Sequence, residues 1–281
     1  MKIQTFPISV TEEEAGSPHI GSPAMLTAYI LDNHDLDPNR LRPAVIICPG
    51  GGYQHLAPRE KQAIAMQYLA MGCHAFVLEY SLMPNIFPYA LMEIAKSTAL
   101  IRSKQKEWHV DPDKILVSGF SAGGHVALSL GVFWKKNFLS TSLHLSPEEI
   151  RPNGVILCYP VITSCYKFHP SSFSCLLGDK VNDPKMRDLV SLDKQVTSDL
   201  PRTFLWHTWT DQAVPVAGSL MFATACETAG VNLEMHIYAS GHHGLALADA
   251  ESSNPDGNHI EPSCQSWISL VKTWITTYYL S

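Results

Sequence analysis

The stretch that decides the fold is Ile115-Leu116-Val117-Ser118-Gly119-Phe120-Ser121-Ala122-Gly123. The apolar run at its start predicts a buried strand, and the small and apolar residues from 122 to 134 predict a helix. Between them lies the pattern G-x-S-x-G, whose glycines permit a tight turn from which the Ser121 hydroxyl projects. A helix-capping serine in an ordinary turn has the same local sequence, so the rest of the chain must decide between the two interpretations.

Outward from this turn, strand-like and helix-like segments alternate. The predicted strands cover residues 24–31, 44–48, 75–80, 115–118, 155–159, 203–207 and 233–238. The predicted helices cover residues 59–71, 89–108, 122–134, 216–229 and 264–279. Such alternation predicts a mainly parallel, twisted sheet with helices on both faces, here as a single α/β domain over residues 1–281.

Residues 161–201 interrupt the alternation, because they are rich in Ser, Pro, Asp and Lys and only weakly periodic. A stretch this long without clear elements is unusual as a simple connection inside a compact domain. Loops after parallel strands lie at the carboxyl end of the sheet, where ligands bind. We therefore expect a lid or cap over a site, rather than a plain surface excursion.

Composition excludes several classes of partner. The formal net charge is −6 and no basic run is present, so we expect neither a nucleic-acid nor a membrane partner. The seven cysteines include no C-x-x-C pair and indicate a reducing cytoplasm rather than a disulfide framework. Residues 1–10 lack the apolar core of a signal peptide, and no segment is long enough to span a membrane. We expect a cytoplasmic protein; homo-oligomerisation remains open.

A second glycine-rich loop, Pro49-Gly50-Gly51-Gly52-Tyr53, follows the strand at 44–48. Consecutive glycines let backbone N–H groups approach a substrate, as an oxyanion hole requires. The residue after the serine, Ala122, supplies a further N–H in such sites. A phosphate-binding loop is the rival interpretation, but the G-K-[ST] ending and the G-x-G-x-x-G spacing are both missing.

A nucleophilic serine needs a histidine base and a carboxylate that orients the histidine, in the chain order Ser, acid, His. Asp211 follows the penultimate strand, whereas the alternatives Asp199 and Asp249 are expected to face solvent or cap helices. His243 follows the last strand between two glycines, and the neighbouring His242 is the alternative base.

His207 stands at the end of a strand and is interpreted as a satisfied core histidine, with a supporting role beside the catalytic residues as the alternative. A metal site built from it with His242 and His243 lacks a carboxylate or thiolate at ligand spacing. We therefore expect neither a metal nor an organic cofactor.

Several motifs together resemble the acetyl-xylan-esterase-like carbohydrate esterases of the α/β-hydrolase fold. The resemblance covers about residues 43 to 250 and rests on Pro49-Gly50-Gly51-Gly52-Tyr53, Arg59-Glu60, Gly119-Phe120-Ser121-Ala122-Gly123-Gly124-His125, His207-Thr208-x-x-Asp211-x-x-Val214-Pro215-Val216 and Gly241-x-His243-Gly244-Leu245. It implies that Ser121, Asp211 and His243 form a catalytic triad. It also implies that the oxyanion donors are the amides of Gly51, Gly52 and Ala122. Residues 164–198 match no pattern of the family.

The resemblance implies a serine esterase that acts on small-molecule esters, with a short acyl group, acetyl foremost, on a carbohydrate or small alcohol. Tyr53, Met83 and Trp209 are candidates for the substrate pocket, with a place in the core as the alternative for each. A serine peptidase and a carboxylesterase for apolar esters are the alternative enzymes. A ligand-binding member of the fold without catalysis is a third interpretation, disfavoured because all three catalytic roles have an occupant.

Overall fold

The computed structural model of the chain describes residues 1–165 and 169–280. Within these ranges eight strands form one sheet: β1 (Lys2–Ile8), β2 (Ala24–Ile30), β3 (Arg42–Cys48), β4 (His74–Glu79), β5 (Val110–Phe120), β6 (Gly154–Cys158), β7 (Thr203–Thr208) and β8 (Leu233–Tyr238). Their order across the sheet is β1-β2-β4-β3-β5-β6-β7-β8. Strand β2 is antiparallel to both of its neighbours, and all other pairs are parallel.

Helices cover both faces of the sheet. The α-helices are α1 (Glu12–Ala15), α2 (Gln62–Ala70), α3 (Tyr89–Ser103), α4 (Gln105–Trp108), α5 (Ala122–Phe133), α6 (Asn137–Leu143), α7 (Pro147–Ile150), α8 (Pro170–Leu177), α9 (Pro184–Leu189), α10 (Ala217–Ala229) and α11 (Trp267–Ile275). Short 3₁₀-helices span Pro58–Glu60, Gly178–Asn182 and Leu192–Gln195, and a π-helical turn spans Thr276–Leu280. No helix in the described residues is long and apolar enough to cross a membrane.

The central strands are buried along their whole length, which explains their continuous apolar sequences. One hydrophobic core lies between the sheet and the face covered by α3 and α5, and a second lies under α2 and α11. Helix α11 shows how the sequence produces this packing. Its buried residues Trp267, Val271 and Trp274 recur at helical spacing and form one apolar face. The predicted α/β architecture is therefore the observed one.

Three details differ from the sequence predictions. Strand β1 has no counterpart among them, because five of its seven residues are exposed and it has no apolar run. The single helix predicted over 89–108 is two helices, α3 and α4, with Lys104 between them. The closing helix is regular only from Trp267 to Ile275.

The prediction that residues 161–201 lack clear elements is wrong for the described part of that segment, which contains α8, α9 and two 3₁₀-helices; residues 166–168 lie outside the described ranges. Proline opens both α-helices, at Pro170 and Pro184, where its fixed φ suits a first turn. Side chains of this segment, among them Phe173 and Leu192, are buried in the main core. It is therefore part of the packed structure and not a plain surface excursion.

Candidate active site

The turn from β5 into α5 holds Ser121 in a strained conformation. Its φ of 54° and ψ of −120° lie outside the regions that side-chain-bearing residues prefer. Two backbone hydrogen bonds fix it there: Ser121 N donates to Cys158 O at 3.0 Å, and Val161 N donates to Ser121 O at 3.0 Å. The serine is thereby held at the carboxyl end of the sheet, at the N-terminus of a twelve-residue helix.

Ser121 belongs to a chain of short hydrogen bonds. His243 Nε2 lies 2.7 Å from Ser121 Oγ, and His243 Nδ1 lies 2.6 Å from Asp211 Oδ2. Because the ionised carboxylate only accepts, His243 Nδ1–H donates to Asp211, and Nε2 of the neutral ring accepts from the serine hydroxyl. These are the tautomer and orientation in which a histidine can remove the hydroxyl proton.

Hydrogen bonds on both oxygens hold Asp211 in place. Its Oδ1 accepts from the amides of Ala213 and Val214, at 3.0 and 2.9 Å, and His207 Nε2 lies 3.2 Å from Oδ2. Burial acts to raise the pKa of Asp211. The hydrogen bonds from His207 and His243 outweigh it and leave the pKa well below its usual range. The carboxylate is therefore ionised at neutral pH.

His207 is a buried core histidine, as interpreted from the sequence, but it also donates to Asp211. Its Nδ1 accepts from Ser219 Oγ at 2.8 Å, and its Nε2–H is shared between Asp211 and Val214 O. The contact with Asp211 corresponds to the alternative interpretation of His207, a residue that supports the catalytic side chains.

The glycine-rich loop after β3 lies against the serine. A Cβ on Gly50 would stand 2.9 Å from Ser121 Cβ, and one on Gly51 would stand 2.1 Å from His55 O. Gly51 has a φ of +126°, so both its space and its backbone conformation require glycine. Within residues 1–165 and 169–280 the amides of Gly51, Gly52 and Ala122 donate no hydrogen bond to protein, which leaves them free for a substrate oxygen.

A cavity of about 360 Å³ opens onto Ser121 and His243. Nine of the thirteen residues that line it have polar side chains. Besides Ser121 and His243 the wall consists of Gly51, Gly52, Gln54, His55, Ala57, Arg59, Glu60, His169, Ser171, Gly244 and His259. His169 and Ser171 come from the segment 161–201, which thus contributes one wall. The wall also contains His55, His169 and His259, which the sequence did not identify as site residues. Arg59 was noted only as part of a motif.

The three predicted pocket residues lie elsewhere. Tyr53 is 3% exposed and donates its hydroxyl to His125 Nδ1 at 2.8 Å. His125 is buried, which lowers its pKa to about 4, and its Nε2–H donates to Val190 O. Met83 and Trp209 are 52% and 60% exposed. None of the three is among the described residues that line the cavity at Ser121.

The alternative acids and base are not beside Ser121. Asp199 pairs with Lys135 at 2.8 Å, and Asp249 accepts from Ser252 N at 3.2 Å. His242 is bonded to the carbonyls of His243 and Asn258. Over the described residues, no three His, Cys, Asp or Glu side chains are grouped as a metal site would require.

Comparison with known proteins identifies the family to which the chain belongs. The BD-FAE family model matches residues 34–226. The chain is 34% identical over 230 residues to endo-1,4-beta-xylanase B of Butyrivibrio fibrisolvens, covering 80% of this chain and 35% of that protein. It is 31% identical over 210 residues to the acetylxylan esterase of Xylanibacter ruminicola, covering 73% of this chain and 41% of that protein. The chain thus spans about a third to two-fifths of the length of these two relatives.

One solved structure aligns with this chain over almost the full length of both chains. The acetyl ester-xyloside bifunctional hydrolase of Caldicellulosiruptor lactoaceticus aligns with a TM-score of 0.79 and 32% identity, covering 98% of this chain and 96% of that one. The predicted fold and the resemblance read from the motifs are therefore confirmed. The chain belongs to the BD-FAE family and has the α/β-hydrolase fold.

Proposed function

We propose that the chain hydrolyses carboxylic esters through an acyl-enzyme formed on Ser121. The observation that carries this proposal is the hydrogen-bond chain from Ser121 Oγ through His243 to Asp211, with both contacts at or below 2.7 Å. A strained serine at a strand-to-helix turn, with three unbonded amides nearby, supports it further.

Each step follows from this geometry. Ser121 Oγ attacks the ester carbonyl carbon while His243 Nε2 takes its proton, and Asp211 stabilises the imidazolium. The amides of Gly51, Gly52 and Ala122 bind the oxyanion. When the intermediate collapses, the C–O bond to the alcohol breaks and the leaving oxygen takes the proton from His243. A water molecule then attacks the acyl-serine with the same base, which releases the carboxylic acid and restores Ser121.

The proposed substrate is a short-chain ester, foremost an acetyl ester, of a carbohydrate. The polar side chains in the cavity wall, among them Gln54 and Arg59, supply hydrogen-bonding partners for a hydroxyl-rich alcohol, which supports a carbohydrate ester over an ester of an apolar alcohol. The printed names of the acetylxylan esterase and of the acetyl ester-xyloside hydrolase are consistent with this class.

Arg59 is the residue of the cavity wall that we expect to bind a sugar substrate. Its Nη2 donates to Asn254 Oδ1 at 2.7 Å, which orients the guanidinium. Its Nη1 is buried and has no acceptor among the residues the structure describes. A buried donor without a partner is costly, and a hydroxyl of the substrate could supply the missing acceptor.

A substrate panel tests this proposal. We expect kcat/KM to fall from 4-nitrophenyl acetate to the butyrate and octanoate, and acetylated xylo-oligosaccharides to be hydrolysed. Arg59→Met should raise KM for the acetylated oligosaccharide about 10- to 100-fold, the equivalent of one hydrogen bond to a charged group. Arg40→Met is the matched control, because Arg40 is exposed just before β3, away from the carboxyl end of the sheet. Preference for the octanoate, or an equal effect of both substitutions, would contradict the carbohydrate assignment.

A further inference from the structure

Glu60 is a buried carboxylate that the triad chemistry leaves without a role. It is 2% exposed and ends the short helix that follows the glycine-rich loop. Its Oε2 accepts from Gly50 N at 2.6 Å, and its Oε1 accepts from the Tyr159 hydroxyl at 2.7 Å. Each oxygen therefore receives a short hydrogen bond, the pattern of an ionised, acceptor-only carboxylate.

Tyr159 extends this contact to the loop that carries His243. Its hydroxyl donates to Glu60 and accepts from Ala246 N at 2.9 Å. Its ring meets the His243 ring edge to face, with centroids 5.1 Å apart. Both Tyr159 and Ala246 have positive φ values, 38° and 51°, so these two backbone positions are strained and need tertiary contacts to hold them.

Three loops that follow different strands thus meet at one carboxylate. The Gly50–Gly52 loop follows β3, Tyr159 follows β6, and residues 243–246 follow β8. No backbone hydrogen bond between these loops is found in the described residues, so the side chains of Glu60 and Tyr159 make the polar connection. This connection links the loop of the oxyanion donors to the loop of the histidine base.

We propose that Glu60 is a positioning residue for ester hydrolysis, which fixes the oxyanion loop directly and the His243 loop through Tyr159, and whose charge favours the imidazolium. This inference rests on the proposed function. Asp211 is the buried carboxylate that contacts the base, His243, and Glu60 is then a second buried carboxylate that serves the same base.

The electrostatic part follows from the groups that face Glu60. These are Arg59, Tyr80, Cys158, Tyr159 and His243. Burial raises the pKa of Glu60 above its usual value; the hydrogen bonds from Tyr159 and Gly50 and the positive charges of His243 and Arg59 oppose that rise without cancelling it. Because the coupling between two charges is reciprocal, the Glu60 carboxylate must also favour the protonated form of His243. That form develops in the transition state, so removing the charge should slow the reaction.

The test is Glu60→Gln, which keeps the side-chain size and an acceptor for Gly50 N but removes the charge. We expect kcat for 4-nitrophenyl acetate to fall about 10- to 100-fold, below the full effect of about 100- to 10,000-fold for general-base catalysis because His243 itself is kept, with a smaller change in KM. The acid limb of the kcat/KM profile should move to lower pH, because the imidazolium loses a favourable charge. Tyr159→Phe keeps the charge and removes the connection, so it should lower kcat and move the acid limb less.

Wild-type kcat with an unmoved acid limb in Glu60→Gln would overturn the inference. So would a loss of activity explained by a smaller fraction of active sites, counted by titration with a fluorophosphonate, at an unchanged pH profile. If Glu60→Gln does not fold, Glu60→Asp is measured, which keeps the charge; a shifted acid limb in that variant would overturn the inference. Ser121→Ala is assayed in parallel, because activity in it would refute the proposed function, whereas a wild-type profile in Glu60→Gln refutes only the role of Glu60.

Discussion

Ser121→Ala is expected to lower kcat/KM for 4-nitrophenyl acetate by about four to six orders of magnitude, the scale seen when a triad nucleophile is removed. The substitution deletes the one atom that bonds to the substrate and leaves the His243–Asp211 hydrogen bond intact. A residual rate over water is expected from the unbonded amides of the oxyanion loop. Initial rates at several enzyme concentrations measure the effect.

Ser129→Ala is the matched control for this prediction. Ser129 is also buried, lies in the same helix α5, and is remote from the cavity lining. Its removal should leave kcat/KM within about threefold of wild type, as expected for a substitution away from the site. If Ser121→Ala kept a comparable rate, the nucleophile would have to lie elsewhere.

Gly123→Ala is expected to destabilise the fold severely. An added Cβ would lie 2.0 Å from Cys48 O and 2.5 Å from Pro49 O, and both atoms belong to backbone at the end of β3. No rotamer change relieves such a contact, so the cost should reach or exceed about 3 kcal/mol, the upper end for overpacking. Urea unfolding followed by circular dichroism should show a lower midpoint, or the variant should be recovered only as insoluble protein.

The control for this substitution is Gly218→Ala. Gly218 is also buried and helical, in α10, but the nearest atom to an added Cβ is 3.7 Å away. Because alanine favours helix over glycine by about 1 kcal/mol, this variant should equal or exceed wild-type stability. Equal midpoints for the two variants would mean that the turn after β5 tolerates a side chain at position 123. That result would contradict the close approach of β3 and α5.

Local sequence signals were sufficient for the elements that decide the fold. The apolar run of β3, the strand before Ser121 and the helix after it are each recognisable because burial on both faces leaves a continuous apolar sequence. Strand β1 could not be recognised in this way, because it is an edge strand with a mostly exposed sequence. The helices of residues 170–195 were also missed, because they are short and their packing is set by contacts with the main core.

The residues of the site also differ in whether local sequence predicts them. Ser121, Asp211 and His243 could be proposed because the fold fixes their order and the strand ends they follow. The cavity wall could not, because His169 and His259 come from loops without a motif, brought together only by tertiary packing. Tyr53 could be assigned from the sequence either to the pocket or to the core; tertiary packing decides for the core, where its hydroxyl bonds to His125.

Covalent labelling identifies the nucleophile of the protein directly. The protein is incubated with a fluorophosphonate, which loses fluoride as a serine Oγ–P bond forms, and the modified peptide is identified by mass spectrometry. We expect one adduct per chain, on Ser121, with labelling abolished in Ser121→Ala and strongly slowed in His243→Ala. An adduct on any other residue of the active wild-type protein, or undiminished labelling of Ser121→Ala, would contradict this expectation.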